Sequence, residues 1–337
     1  MVVRIGIIGA GVMGADHAKI FAEDLAGAEL RQIVDADPAR ARALAGRFGA
    51  EAGTDPGALI ARPDIDAVLI ASPDFTHAPL TLACLKAGKA VLCEKPLSPL
   101  SVECLQVMEA EIAGGVQRVQ LGFMRRFDQS YQEMRAALCD GLIGRAVMMH
   151  NFHRNVENPA AGFTADMAIT NSAPHEFDVA RFVLGADYVA VTAFSPHLAS
   201  GKVGPVVMVL ETDQGQVVTI EVNNNAAYGY DVRGELVGET GAVSLSAPLH
   251  SRIDRGLQQV TTYAADWRPR FAEAYRRQNR AFIDFVRSGV FPADGASAWD
   301  GYAASVIAEA GVRALKEGRR VVVDMIAQPE FYRKRTD

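Results

Sequence analysis

Residues 3–14 read Val-Arg-Ile-Gly-Ile-Ile-Gly-Ala-Gly-Val-Met-Gly. The part through Gly9 is a near-continuous apolar run, which suits a strand buried on both faces of a parallel sheet. Gly9, Gly11 and Gly14 then fall in G-x-G-x-x-G spacing. By itself that spacing is a weak signal. Here it directly follows a strand pattern and opens a helical one, the context in which it binds a dinucleotide. Gly9 permits the tight turn, Gly11 lets backbone approach a pyrophosphate, and Gly14 lets the helix lie close to the sheet. The first helical turn, with Val12 and Met13, offers free N–H groups and a positive dipole end to the phosphates.

Outward from this motif, strand and helix patterns alternate. Apolar runs at Leu30–Asp35, Ala67–Ser72, Ala90–Glu94 and Val119–Phe123 predict further strands, and helical patterns lie near 12–25, 38–48, 56–62, 78–87 and 101–113. Pro38 and Pro79 stand where a first helical turn tolerates proline. Such alternation predicts a doubly wound α/β sheet. After Gly122 the pattern changes. A helix (128–140), a strand (Ala146–His153) and a helix (172–184) precede strand runs at 188–195, 205–211, 216–224, 230–238 and 242–247. Thr212-Asp213-Gln214-Gly215 reads as a hairpin turn, so this sheet is expected to be antiparallel or mixed. Helices over 270–288 and 297–316 and a strand at Arg320–Asp324 complete the chain. Two domains are expected, 1–122 and 123–337, in line with about 150 residues per domain for a chain of 337.

Composition narrows the function classes. Thirty-four basic and 40 acidic residues leave a net charge of −6, with no basic excess for nucleic acid or an anionic membrane surface. No apolar run approaches the roughly 18 residues of a membrane span, and the N-terminus has no signal-peptide pattern. Cys84, Cys93, Cys104 and Cys139 form no CxxC pair and read as small core residues of a reducing compartment. A cytoplasmic protein is expected.

In open α/β sheets the ligand crevice lies beyond the carboxyl ends of the strands. Asp35 ends the second run, about 20 residues past Gly14, where a carboxylate accepts hydrogen bonds from the adenosine ribose. It would repel a 2′-phosphate, so NAD is favoured over NADP; Arg40 and Arg42 read as a solvated helix face. The run Ala67–Ser72 leads into Ser72-Pro73-Asp74-Phe75-Thr76-His77 and the run Ala90–Glu94 into Cys93-Glu94-Lys95-Pro96. Ser72, Pro73, Glu94 and Lys95 are therefore expected to overhang the cofactor. His77 either contacts it or caps the following helix. A lysine beside a cationic nicotinamide suits proton transfer near neutral pH. His17, one turn into the first helix, reads as structural.

GIIGAGVMGADHA, ASPDFTHAP, CEKPL and GFMRRFD, in that order, resemble the glucose–fructose oxidoreductase/inositol dehydrogenase family. HNFHRNVENP, MAITNSAPHEFDVARFVLG and YGYDVRGELVGETGAVSLS are most similar to its bacterial inositol 2-dehydrogenase branch. The resemblance runs along most of the chain. It implies an NAD-binding Rossmann domain, a C-terminal α/β domain with a large open, mainly antiparallel sheet, and a homotetramer. It also implies that Lys95 and His175 flank the reacting carbon. In the family an aspartate four residues before that histidine completes the set; here the position is Asn171.

Oxidising a secondary alcohol needs a base for the hydroxyl proton and an acceptor for the hydride. His175 is the natural base, with an unperturbed pKa near 6.5. Asn171 would share a helix face with it if that turn is helical, orienting the imidazole, or would serve as an N-cap. A neutral amide stabilises an imidazolium less than a carboxylate does. Asp178, three residues from His175, is a possible source of charge, whereas Glu176 is expected to point elsewhere. For a polyol, the matched motifs offer Arg125 or Arg126, His153, Asn155 and Tyr230, with Tyr228 the alternative to Tyr230 and Asp128 a structural partner for Arg126. No further His/Cys cluster joins His175, Glu176 and Asp178, so no metal is expected. The expected activity is NAD-dependent oxidation of a cyclitol ring hydroxyl. A related sugar dehydrogenase and a catalytically weak NAD-binding sensor are the rivals.

Overall fold

The computed structural model describes residues 2–156, 162–246 and 252–333. The chain forms two compact units. The first holds the residues up to Phe127, Glu273–Ser305 and those from Ile326 on; the second holds Asp128–Ala272 and Val306–Met325.

In the first unit the strands are β1 (Val3–Ile8), β2 (Ala28–Val34), β3 (Glu51–Gly53), β4 (Ala67–Ile70), β5 (Ala90–Cys93) and β6 (Val119–Leu121). They pair in parallel in the order β3-β2-β1-β4-β5-β6. Helices α1 (Val12–Lys19), α2 (Pro38–Phe48), α3 (Pro56–Ala61), α4 (His77–Lys86) and α5 (Ser101–Gly114) provide the crossovers. The strand order reverses between β1 and β4, the switch point at which such sheets bind ligands. Local chemistry explains the elements. Every residue of β4 and β5 is buried, as continuous apolar runs require. Asp37 caps α2 by accepting from Ala39 N–H at 2.8 Å, with Pro38 in the first turn.

The second unit contains α6 (Gln129–Cys139), β7 (Ala146–Arg154), α7 (Ala165–Met167), α8 (Pro174–Leu184), β8 (Tyr188–Phe194), β9 (Val206–Thr212), β10 (Val217–Asn223), β11 (Asp231–Gly238) and β12 (Ala242–Ser244). A separate exposed hairpin pairs β13 (Ile253–Arg255) with β14 (Gln258–Val260). Helices α9 (Arg268–Ser288) and α10 (Ala298–Glu317) each have residues in both units, and β15 (Val321–Val322) is the last described strand. The main sheet has seven strands in the order β12-β11-β7-β10-β9-β8-β15. Only β7 and β10 run parallel; the other pairs are antiparallel. Along β10, Val218, Ile220 and Val222 are buried while the residues between them are half-buried. One sheet face is thus covered and the other open. The open side includes the exposed Phe194, Val207 and Val322.

The fold class agrees with the expectation; several details differ. The strand expected over 119–123 stops at Leu121, the one over 320–324 keeps only Val321–Val322, and β12 ends at Ser244. Residue 247 of the expected last strand run lies outside the described residues, as do 157–159 of the HNFHRNVENP segment. Strands β3, β13 and β14 were not anticipated. After Lys19 the first helix widens into π-type turns over Ile20–Asp24. The expected division at 122, with one continuous second domain, also differs from the observed units. The later turns of α9 carry Phe282, Ile283 and Phe285 into one core with Val3, Ile5, Ile33 and Leu92. Burial of those aromatics, rather than chain order, assigns the segment to the first unit. Phe282→Ala should destabilise the protein by about 3–5 kcal/mol, the usual cost of emptying a buried aromatic site; urea denaturation measures it.

Candidate active site

The turn between β1 and α1 is built by exclusion. Gly9 has φ +103°, and a Cβ there would lie 2.5 Å from the Ala71 carbonyl oxygen. A Cβ on Gly14 would lie 1.9 Å from the Gly9 oxygen. Gly11 is the opposite case: nothing lies within 4 Å of where its Cβ would be. The backbone is thus open to a close ligand on that side. The N-terminus of α1 has no side-chain cap, and Val12 beside it is exposed. Asp35 Oδ2 accepts from Ala10 N–H at 2.7 Å and Oδ1 from Asp37 N–H at 2.8 Å. The carboxylate therefore stands at the glycine turn, tying the end of β2 to it. These features fit a dinucleotide: open backbone donors for phosphates and a carboxylate for the ribose. Arg40 is exposed and pairs with Asp37 at 3.4 Å, a solvated-face role.

Two turns follow at the ends of β4 and β5. Ser72 Oγ lies 2.6 Å from Thr76 Oγ1, which donates to the Pro73 carbonyl at 2.7 Å. His77 is buried, with Nδ1 2.6 Å from the Pro96 carbonyl oxygen and Nε2 2.8 Å from that of Ser72. Both partners only accept, so both ring nitrogens must donate, and the ring is an imidazolium. Burial pushes its pKa down, but Cys93 and the two carbonyls outweigh this and raise it to about 10. His77 thus ties the Ser72–Pro73 turn to the Lys95–Pro96 turn, with both ring nitrogens committed. Glu94 is buried between His17 and the lysine turn. Its Oε1 lies 2.9 Å from His17 Nε2, and its Oε2 accepts from the Lys95 backbone N–H at 3.2 Å. Burial raises the carboxyl pKa, but the hydrogen bond and attraction of His17, then the charges of Lys95 and His77, bring it below the ordinary value. Lys95 itself is half-buried.

In the second unit, His175 occupies the first turn of α8, a helix buried along its whole length. His153, on β7, turns its ring toward His175 (centroids 6.3 Å apart) and meets Tyr230 edge-on at 6.1 Å. Tyr230 packs edge-on against Phe271 at 6.4 Å. Glu176 is fully buried and places Oε2 3.0 Å from His153 Nδ1. Glu176, read from helical spacing as pointing elsewhere than His175, thus has the imidazole of His153 on β7 as a partner. Asn171 lies in a π-type turn, Ala168–Ser172, and the N-cap position of α8 is Ala173. The N-cap reading of Asn171 is thereby excluded, because the helix begins later than expected. Its Oδ1 accepts from Thr170 Oγ1 at 3.0 Å.

The remaining candidates separate by their contacts. Arg125 is almost fully buried. Arg126 pairs with Asp300 at 2.7 Å and donates to the Gly295 carbonyl at 3.2 Å. Asp128, the expected partner of Arg126, instead takes a bidentate pair from Arg270. Tyr228 uses its hydroxyl between Arg154 (3.1 Å) and Asp231 (2.8 Å), away from the imidazole cluster that Tyr230 joins. Asn155 follows β7, its backbone bonded to Asn223 and Ala226. Among the described residues no His/Cys/Asp/Glu group could hold a metal ion.

The His77 imidazolium has a pH signature. Its pKa of about 10 lies above the ordinary 6.5, so the stability it contributes is complete below about 6.5 and is lost as pH rises through about 10. The difference in melting temperature between the wild type and His77→Gln should narrow across that window. Thermal unfolding in a pH series checks this.

Comparison with known proteins agrees with this geometry. Residues 3–123 match the oxidoreductase family with an NAD-binding Rossmann fold, and residues 131–244 match the GFO/IDH/MocA C-terminal domain. Inositol 2-dehydrogenase 1 of Saccharopolyspora erythraea is 46% identical, covering 98% of this chain and 99% of its own. Inositol 2-dehydrogenase of Ralstonia nicotianae is 39% identical, covering 99% and 100%. The crystal structure of myo-inositol dehydrogenase from Lactobacillus casei, in complex with NAD(H) and myo-inositol, superimposes with a TM-score of 0.94 at 32% identity, covering 99% of this chain and 100% of that one. The chain therefore belongs to the GFO/IDH/MocA oxidoreductase family, and its first domain is an NAD-binding Rossmann domain.

Proposed function

We propose that this protein is an NAD-dependent inositol dehydrogenase, oxidising one ring hydroxyl of a cyclitol to the ketone. The observation that carries this reading is end-to-end similarity: the relative solved with NAD(H) and myo-inositol covers 99% of the chain. Bound at the glycine turn, NAD supplies the hydride acceptor. Gly9, Gly11, Val12, Met13 and Gly14 would hold the pyrophosphate, Asp35 the ribose, and Ser72, Pro73, Glu94 and Lys95 the nicotinamide half.

His175 takes the hydroxyl proton, with Lys95 assisting. Asn171, where the family has aspartate, orients without adding charge. Glu176 supplies a buried carboxylate to the neighbouring imidazole of His153. That carboxylate fixes a proton on His153 Nδ1 and so sets which ring edge is left for a substrate hydroxyl. Tyr230, Asn155 and Arg125 complete the polyol contacts. His77 serves the cofactor region through the two turns it joins.

The half-exposed face of the seven-stranded sheet, with Phe194, Val207 and Val322 on its open side, supports assembly as a homotetramer. All four cysteines are free thiols, which fits work in the cytoplasm. Among the described residues no helix is long and apolar enough to cross a membrane.

Initial rates of NADH formation with myo-, scyllo- and chiro-inositol test the substrate class. Turnover of an aldose with none of any cyclitol would overturn it. His175→Ala should lower kcat about 10²- to 10⁴-fold, as expected for loss of a general base; an unchanged kcat would remove His175 from that role.

A further inference from the structure

One buried chain of hydrogen bonds connects the glycine-turn helix to the lysine turn. His17 lies in the second turn of α1, fully buried, edge-on to Tyr275 at 5.7 Å and stacked on Phe21 at 6.4 Å. Its Nδ1 lies 2.9 Å from Asn279 Nδ2 and 3.1 Å from Asn279 Oδ1. Its Nε2 lies 2.9 Å from Glu94 Oε1. Since the Glu94 carboxyl is held below its ordinary pKa, it is an ionised acceptor, and His17 must carry its proton on Nε2. The second carboxylate oxygen takes the Lys95 backbone N–H. The surroundings leave the carboxylate little freedom. A Cβ on Gly122 would come within 2.9 Å of its carboxyl carbon and of Oε1.

We propose that His17 and Glu94 are positioning residues for Lys95. His17 orients the Glu94 carboxylate, the carboxylate holds the Lys95 backbone N–H, and helix α1 thereby sets the point from which the lysine side chain projects. This rests on the reading of Lys95 as a participant in proton transfer.

Stability alone does not call for such a group. A buried ion pair replaced by apolar residues of similar volume often leaves a protein as stable or more so. Placement does call for it, since an error of about 1 Å at a reacting group costs on the order of a hundredfold in rate. A lysine side chain is long and flexible, so its origin is the part the fold can fix. The helix that fixes it also carries the glycine turn at its N-terminus. Cofactor phosphates and catalytic lysine would thus be registered against one rigid element.

The hydrogen-bond pattern makes the test atom-specific. His17→Gln keeps a donor near the Nε2 position, whereas His17→Asn reaches only the Nδ1 position. Both variants, Glu94→Gln, Lys95→Met and the double variant Glu94→Gln/Lys95→Met are to be compared. The measurements are melting temperature without cofactor, NADH affinity by fluorescence titration, and kcat with the best cyclitol. Losing one charge-assisted hydrogen bond should lower kcat about tenfold or more in His17→Asn and Glu94→Gln, with the NADH affinity of His17→Asn and the kcat of His17→Gln each within about threefold of wild type. The Glu94→Gln loss should vanish in the Lys95→Met background.

In the cofactor-free protein the exchange-protected His17 Nε2–H proton resonance should be present in the wild type and shifted or lost in Glu94→Gln. Equal kcat for His17→Asn and His17→Gln, or a Glu94→Gln loss that persists in the Lys95→Met background, would overturn the positioning role. An unchanged kcat in Lys95→Met would instead overturn the reading of Lys95 on which the proposal rests. If Glu94→Gln fails to fold, the two His17 variants still decide the matter.

Discussion

No side chain fits where the turn after β1 meets the end of β4. The missing Cβ at Gly9 would strike the Ala71 carbonyl, and the one at Gly14 would strike Gly9 itself. This exclusion draws α1 onto the sheet and aims its uncapped N-terminus at the switch point. Asp35 then locks the turn from the next strand. With the helix so placed, its second turn brings His17 beneath the end of β5, where Glu94 meets it. The dinucleotide end of the helix and the support of the lysine turn are therefore consequences of one steric constraint.

Buried imidazoles recur through the molecule, and each is defined by what faces it. His77 meets two carbonyl oxygens and is obliged to carry two protons. His17 and His153 each meet a carboxylate on one nitrogen. A ring of this kind joins backbone segments distant in sequence through donors of fixed direction, and burial makes each bond costly to break. In the first unit His77 joins the turns after β4 and β5, and His17 joins α1 to the end of β5. In the second they are β7 and the first turn of α8, where His175 stands.

Much of the Rossmann unit was legible because its signals are local. Buried parallel strands are continuous apolar runs, and the motif spacing is contiguous. Asp35 could be found by counting from Gly14. Other features were hidden because partners come from far along the chain. The amphipathic pattern of α9 reads the same whichever core receives Phe282. Helical spacing sets Glu176 off from His175, but it cannot show that β7 places His153 against its carboxylate. Arg126 has Asp128 two residues away, yet its ion pair is with Asp300. His17 had a usable signal: a polar ring on the helix face that also buries Gly14 and Ala18 needs a buried partner, and Glu94 directly follows a wholly buried strand.

By itself the sequence determined the elements, the parallel order implied by their alternation, the dinucleotide turn and the demand that each buried polar group be satisfied. Only the tertiary structure decided which group satisfies which. Helix and strand periodicity act over a few residues, whereas His17 and Glu94 are 77 positions apart and His17 and Asn279 are 262 apart. Such pairings exist only once the sheet, the helix and the returning segment of the chain have packed around them.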